Sequence, residues 1–118
     1  IVVIIFAAAA TGILLYQKAN IEASQRDDDR KTAINAMYYN LEEVFYQQVE
    51  YYPQDIDSKT LRAMDPKLFT DPQGYKLGDQ LSDYKYTSSN CSLDGKCQNY
   101  RLTAQLENEA EYVKTNRR

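Results

Sequence analysis

The first 52 residues contain no proline, and they pass from an apolar segment into an amphipathic helix pattern. Residues Ile1 to Tyr16 carry no charge, and Thr11 is the one polar interruption among them. The first proline of the chain is Pro53. An uninterrupted helix over these residues would be about 78 Å long, because each residue adds about 1.5 Å. A helix of this length predicts a subunit that is anchored in a membrane or packs its apolar end into a fibre.

The apolar segment is shorter than a membrane span. Its sixteen residues would cover about 24 Å of helix, whereas the hydrocarbon core of a bilayer is about 30 Å thick. A secretory signal peptide has an apolar stretch of similar length, but it follows a basic segment, and no lysine or arginine precedes Lys18. We therefore expect either that residues precede Ile1 or that the chain is processed there. A signal peptide, a tail anchor and a helix buried in a soluble core are the alternatives.

The composition argues against several classes of function. The formal net charge is −3, with 14 basic and 17 acidic residues, so nucleic acid is not expected as a primary ligand. Histidine, the commonest general base and metal ligand, does not occur in the sequence. Eleven tyrosines suit half-buried faces and interfaces, because each joins an apolar ring to a hydroxyl group. The mixed charges of residues 26–31 (RDDDRK) predict a solvated helix surface.

The second half of the predicted helix has one apolar face. Apolar side chains recur there at steps of three and four, which is the period of a helix with one buried side. Asn40 and Glu42 fall on the opposite face, and residues 17–32 are polar nearly all round. We therefore expect residues 1–32 to protrude and residues 33–118 to form a globular head that includes the second half of the helix. The stripe comprises Ile34, Met37, Tyr38, Leu41, Val44, Phe45, Gln48, Val49 and Tyr52.

The rest of the chain predicts a small antiparallel sheet. Alternating side chains begin at Tyr84 and again at Tyr100, and Asp94-Gly95 between them favours a hairpin reversal. Such a sheet would pack on the apolar stripe of the helix, which gives an α+β fold. The predicted head core comprises Ile34, Met37, Leu41, Val44, Phe45, Val49, Tyr100, Leu102 and Leu106.

The two cysteines, Cys91 and Cys97, lie at the mouth of the predicted hairpin. A disulfide between them would stabilise the fold by about 2.4 kcal/mol on the loop-entropy estimate. A zinc site lacks further cysteine or histidine ligands, a redox pair would have a CxxC spacing, and a nucleophilic cysteine would need a histidine. We expect a structural disulfide, which implies an oxidising location outside the cytoplasm.

No set of residues predicts an active site or a cofactor. Four aspartates in a turn-rich segment offer oxygen ligands of the kind that Ca²⁺ prefers, but they do not match an EF-hand loop. The sequence contains no phosphate-binding loop, no dinucleotide-binding glycine pattern and no nucleophile elbow. We therefore expect a protein that is not an enzyme. The four aspartates are Asp65, Asp71, Asp79 and Asp83.

Residues 26–53 (RDDDRKTAINAMYYNLEEVFYQQVEYYP) carry a family resemblance. They resemble the pattern of type IV pilins and pseudopilins from small-genome bacteria with ultrasmall cells, in which a charge cluster precedes RK(S/T)xIN and a tyrosine-rich helix that ends in YP. The turn at residues 71–74 (DPQG) resembles the later DPxG turn, and residues 100–107 (YRLTAQLE) resemble the YxLxAxLE strand. The chain departs from the family in its first acidic residue, Glu22, because pilins usually carry an acid within a few places of the mature N-terminus.

This resemblance implies a lollipop fold, with one long N-terminal helix packed on a small antiparallel sheet. It also implies a cell-surface filament of identical subunits, anchored in the inner membrane before a membrane machinery assembles it, and serving adhesion to a host-cell surface, twitching motility or DNA uptake. The loops around Gly78 and Leu93 would then contribute to subunit contacts. The implied filament core comprises Ile1, Val2, Val3, Ile4, Ile5, Phe6, Ala7, Ala8, Ala9, Ala10, Gly12, Ile13, Leu14 and Leu15.

Two other functions fit the same sequence features. The chain fits a minor pseudopilin of a secretion or competence machine, which would form a short tip or piston. It also fits a single-pass anchored extracellular binding module that never polymerises.

Overall fold

A computed structural model describes residues 2–118, with the side chains of residues 17–118. Its first element is helix α1, Val2–Tyr39, which continues through a π-helical segment, Asn40–Phe45, into the short helix α2, Tyr46–Val49. The helix ends at Glu50, whose φ of 61° is left-handed. It therefore stops before Tyr52, where the sequence pattern had predicted its end.

Four strands form one antiparallel sheet around a central strand. The strands are β1 (Tyr52–Pro53), β2 (Tyr84–Cys91), β3 (Lys96–Ala104) and β4 (Tyr112–Thr115), and all three neighbours pair with β3. Strand β2 follows one side of β3 along most of its length, while β1 and β4 share the other side. Sequence analysis predicted the hairpin strands β2 and β3 but missed β1 and β4.

The β2–β3 hairpin reverses through a four-residue turn, Ser92–Gly95. The Gly95 N–H donates to the Ser92 carbonyl at 3.1 Å, and Gly95 has a φ of 82° that favours glycine. The disulfide between Cys91 and Cys97 joins residues that face each other across the ladder, with their Cα atoms 3.9 Å apart. It ties the two strands together just before the turn, in line with the spacing in the sequence.

The hydrophobic core lies between the helix and the sheet. Of the predicted core residues, five are buried: Ile34, Met37, Leu41, Tyr100 and Leu102. An α+β fold with a long helix on a small antiparallel sheet is therefore confirmed. The loop between β1 and β2, which includes a 3₁₀ helix at Pro66–Phe69, closes the core with residues that the sequence pattern had not selected: Ile56, Leu61, Met64 and Phe69.

Four predicted core residues lie at the margin or outside. Val44, Phe45 and Leu106 are half-buried, and Leu106 follows the end of β3. The prediction for Val49 is wrong, because its side chain is 40% exposed. The helix ends at the next residue, and the following loop packs beside this last turn instead of covering it.

The π-helical segment explains why Glu42 is buried although the α-helical period predicts an exposed face. Backbone hydrogen bonds in a π turn join residues five apart. Glu42, which is five residues after Met37, therefore lies on the same face of the helix as Met37. Both side chains are fully buried. Asn40, at the start of the segment, is also buried, and its Nδ2 donates to the Ala36 carbonyl at 2.8 Å.

Contact between helix and head begins well before residue 33. Asn108 donates to the Asn20 carbonyl and to Ser24, and both Asp27 and Arg30 are buried. The predicted division between residues 32 and 33 therefore falls inside this contact, and the RDDDRK cluster is not solvated all round. Charged side chains can be buried here because they are paired.

The predicted filament core, residues 1–15, lies outside the part of the chain whose side chains the structure describes. Within residues 17–118, no helix has both the length and the apolar character that a membrane crossing requires.

Candidate functional site

A group of charged residues joins the helix to the head, and we call it the charged seam: Arg26, Asp27, Arg30, Asp83 and Glu107. Arg30 is at its centre, with a side chain that is 1% exposed. Its guanidinium donates to Asp27 at 3.0 Å, to Asp83 at 3.0 Å and to Glu107 at 2.7 Å. One buried cation thus holds three carboxylates that come from the helix, from the residue before β2 and from the segment after β3.

Asp27 also binds the backbone of the segment that follows β3. Its two oxygens accept the N–H groups of Glu107 and Asn108, each at 2.8 Å. Burial alone would raise the pKa of Asp27, but these two hydrogen bonds and the Arg30 guanidinium outweigh it and hold the pKa below its ordinary value. Asp27 therefore stays ionised and fixes the chain direction after the strand.

Glu107 lies between two arginines at the rim of the seam. Arg26 donates to both of its oxygens, at 2.7 and 2.8 Å, and Arg30 donates to one of them. Hydrogen bonds from Arg26, then from Arg30, lower the pKa of Glu107 from 4.5 to about 2. Next to it, Lys31 forms an ion pair with Glu109.

We expect the seam to make stability depend on pH in the acid range. The folded carboxyl of Glu107 has a lower pKa than the unfolded one, so its stabilising contribution is complete above pH 4.5 and is lost as the pH falls towards 2. Urea unfolding of the full chain in detergent at a series of pH values measures this. Glu107→Gln should flatten the profile in that window, and a profile unchanged by this substitution would contradict the assignment.

A second buried cluster surrounds Glu42, which is fully buried at the π-helical segment. The Tyr52 hydroxyl donates to one oxygen at 3.0 Å, and the Tyr100 hydroxyl donates to the other at 2.8 Å. Burial and the hydrogen bond to Glu42 raise the pKa of both tyrosines, so both remain donors. The two rings pack edge to face with centroids 4.8 Å apart.

The C-terminal residues close this cluster from outside. Asn116 accepts from the Tyr100 backbone N–H at 3.1 Å, which places the tail across β3. The Nε atoms of Arg117 and Arg118 then lie 3.6 and 3.8 Å from the Glu42 carboxylate. Two exposed arginines thus supply the positive charge that a buried carboxylate needs.

The third feature is an apolar groove beside the last turns of the helix, which we call the helix-end groove. Its volume is about 450 Å³. Half-buried and exposed apolar residues of the helix form one wall, and the loop around Leu61 forms the other. Asn40 also lines the groove, and its Oδ1 is buried with no hydrogen-bond partner among residues 17–118. The remaining lining residues are Val44, Phe45, Gln48, Val49, Thr60, Arg62 and Ala63.

The aspartates that were considered for calcium have other partners. Asp65 and Asp79 accept backbone N–H groups two residues ahead, as turn-forming aspartates do. Asp71 accepts three backbone N–H groups, one of them from Asp83, whose own carboxylate pairs with Arg30. Within residues 17–118, no three His, Cys, Asp or Glu side chains are grouped so that they could hold a metal ion.

Sequence reasoning found neither buried charge cluster. The spacing of Asp27 and Arg30, three residues apart, is that of side chains on one helix face and could have pointed to an ion pair. Nothing in the sequence marks Glu42, because its burial depends on the π turn and on tyrosines that lie 10 and 58 residues away.

Family models, curated proteins and solved structures were compared with this chain, and none of them matches.

Proposed function

We propose that this protein is a structural subunit of a type IV pilus-like filament, assembled through its apolar N-terminal segment. The observation that carries the proposal is the layout of the fold: the helix at residues 17–49 packs on one side of a four-stranded antiparallel sheet. In the sequence, residues 1–16, which are uncharged and mostly apolar, come directly before this part of the helix. A subunit of this kind carries an apolar segment at one end and a folded head at the other.

The charged seam supports the same function, because it holds the middle of the helix firmly on the head. Arg30 links residues of the helix with both the start of β2 and the segment after β3. The disulfide supports it too, since it suits a protein that functions outside the cytoplasm.

Ile4→Asp is the substitution that tests the proposal. We expect it to reduce fibres to near zero, because a charge in an apolar helical segment costs roughly 2.5 to 3.5 kcal/mol in a membrane-like interior. Leu81→Asp is the matched control, since Leu81 is 65% exposed in a loop of the head. Electron microscopy and mass spectrometry of fibres sheared from cells that express each variant measure the effect.

The outcomes separate the functions. Fibres that consist mainly of this chain and disappear with Ile4→Asp support a major filament subunit. Fibres in which the chain is only a minor component favour a pseudopilin. A protein that stays in the membrane fraction, with no fibres, contradicts the proposal and favours an anchored binding module.

A further inference from the structure

A shallow cavity of about 200 Å³ lies between helix α1 and the loop that precedes β2, and we call it the acidic cavity. Asp29 and Thr32 of the helix line one side of it, and Thr70 and Asp71 of the loop line the other. Tyr84, the first residue of β2, also lines it. Three separate segments of the chain therefore contribute polar side chains to one cavity.

Asp71 is a buried carboxylate that has no cationic partner among residues 17–118. It is 4% exposed, and its oxygens accept three backbone N–H groups. The buried carboxylates of Asp27 and Glu42, by contrast, lie 3.0 Å from Arg30 and 3.6 Å from Arg117. A buried charge is ordinarily compensated by an opposite charge. The acidic cavity therefore borders a negative charge that no described residue neutralises.

Three hydroxyl groups in the acidic cavity have no hydrogen-bond partner among residues 17–118. They belong to Thr32, Thr70 and Tyr84. In the same part of the chain, the Oδ1 atom of Asn40 is the only fully enclosed side-chain nitrogen or oxygen without a partner. The Tyr84 hydroxyl is therefore within reach of a ligand, although the residue as a whole is only 2% exposed.

The Tyr84 hydroxyl lies in the negative field of the acidic cavity. Burial raises the pKa of Tyr84, and the charges of Asp71 and Asp29 raise it further, although Arg30 acts in the opposite direction. Asp29 is exposed, and its carboxylate has no ion-pair partner among residues 17–118. The cavity therefore presents one free carboxylate, one uncompensated buried carboxylate and a buried hydroxyl that can accept a hydrogen bond.

These groups suit an organic ammonium ion better than a metal ion. Within residues 17–118, no three His, Cys, Asp or Glu side chains are grouped so that they could hold a metal. A primary ammonium group carries one charge and three N–H donors, which match one carboxylate and two hydroxyl acceptors. The apolar side chains of Ala33, Leu68 and Pro72 complete the lining and suit the carbon chain of such a ligand.

We propose that the acidic cavity binds a primary alkylammonium group. The N–H groups of this ligand donate to the Asp29 carboxylate and to the hydroxyls of Thr70 and Tyr84, and its charge lies beside the Asp71 carboxylate. A free amine and the end of a lysine side chain carry the same group. The site does not depend on the proposed filament function.

Titration of the full chain in detergent with butylammonium chloride tests the site. Nuclear magnetic resonance follows the backbone amides of the isotope-labelled chain at constant ionic strength. We expect saturable shifts at residues 29–33, 68–72 and 84. Sodium chloride and neutral butanol are the controls, and neither should produce these shifts.

An acetylated lysine amide is the second probe, and it distinguishes the two sources of the ammonium group. Binding as tight as that of butylammonium indicates that the cavity recognises the ammonium group and a short carbon chain, as a free amine supplies them. Tighter binding of the lysine amide indicates a lysine side chain that is presented by a polypeptide. Both results support the site.

Substitutions in the cavity give a second readout. Asp29→Asn should weaken butylammonium binding by about tenfold, because it removes a charge-assisted hydrogen bond. Tyr84→Phe removes the hydroxyl alone and should weaken binding by about threefold. Asp28→Asn is the matched control, since Asp28 is adjacent and exposed but does not line the cavity, and it should change the affinity by less than about twofold.

Other outcomes overturn the site. Shifts that do not saturate, or equal losses of affinity with Asp28→Asn and Asp29→Asn, indicate general attraction of cations to an acidic surface. An affinity that neither Asp29→Asn nor Tyr84→Phe lowers has the same meaning. Saturable binding of calcium chloride at these residues, without competition from butylammonium, overturns the assignment to an ammonium group. All of these outcomes leave the filament proposal standing.

Discussion

Replacing Arg30 with alanine is expected to destabilise the fold by about 3–5 kcal/mol, the cost of removing one partner from a buried ion pair. The guanidinium is buried against Asp27, Asp83 and Glu107, and its loss leaves the charges of Asp27 and Asp83 without a cation, whereas Glu107 keeps Arg26. A head of this size has only a few kcal/mol of stability, so we expect much of the protein to be unfolded. Urea unfolding of the full chain in detergent, followed by the near-ultraviolet circular dichroism of its tyrosines, measures the change.

Arg26→Ala is the matched control for this substitution. Arg26 binds the same Glu107 carboxylate, but its side chain is 39% exposed, so its removal should cost about 1 kcal/mol or less. An Arg30→Ala protein that is as stable as the Arg26→Ala protein would contradict the role assigned to the charged seam.

Replacing Glu42 with alanine is the substitution with the second largest expected effect, a loss of about 3–4 kcal/mol. It leaves the buried hydroxyls of Tyr52 and Tyr100 without an acceptor, and it removes the carboxylate that Arg117 and Arg118 approach. We expect the C-terminal tail to detach as a consequence. Hydrogen exchange of the full chain measures this, through faster exchange at the Tyr100 amide, which donates to Asn116.

Glu43→Ala provides the control for Glu42, because the two residues are adjacent and differ in burial. Glu43 is 37% exposed and pairs with Arg117, so its removal should cost less than about 1 kcal/mol. The triple variant Glu42→Ala, Tyr52→Phe, Tyr100→Phe should recover part of the stability that Glu42→Ala loses, because the buried hydroxyls are then absent. Equal effects of Glu42→Ala and Glu43→Ala would rule out a special role for the buried carboxylate.

Both predictions concern joints that a filament subunit would need. The charged seam fixes the middle of the helix to the sheet, and the Glu42 cluster fixes its end and the C-terminal tail. If the proposed function holds, Arg30→Ala should lower the number of fibres through unfolding, whereas Ile4→Asp should do so with a folded head. The circular dichroism of the two variants therefore separates a defect of folding from a defect of assembly.

Local patterns predicted the elements whose structure depends on near neighbours. Apolar residues at steps of three and four along residues 34–41 predicted the buried face of the helix, and Ile34, Met37 and Leu41 are all buried. The Asp94-Gly95 pair predicted the hairpin turn, because glycine accepts the positive φ found there. The helical spacing of apolar side chains and the positive φ of the turn glycine each depend on residues that are close together in the chain.

The sequence by itself determined the α+β class, the buried face of the helix, the hairpin and the pairing of its two cysteines. Tertiary structure alone decided that Asp27, Arg30 and Glu42 are buried and that Val49 is exposed. A charged side chain can leave water only where partners from distant segments meet it, and here those partners come from residues 52, 83, 100 and 107. No helical period contains that information, because it depends on how the segments fold together.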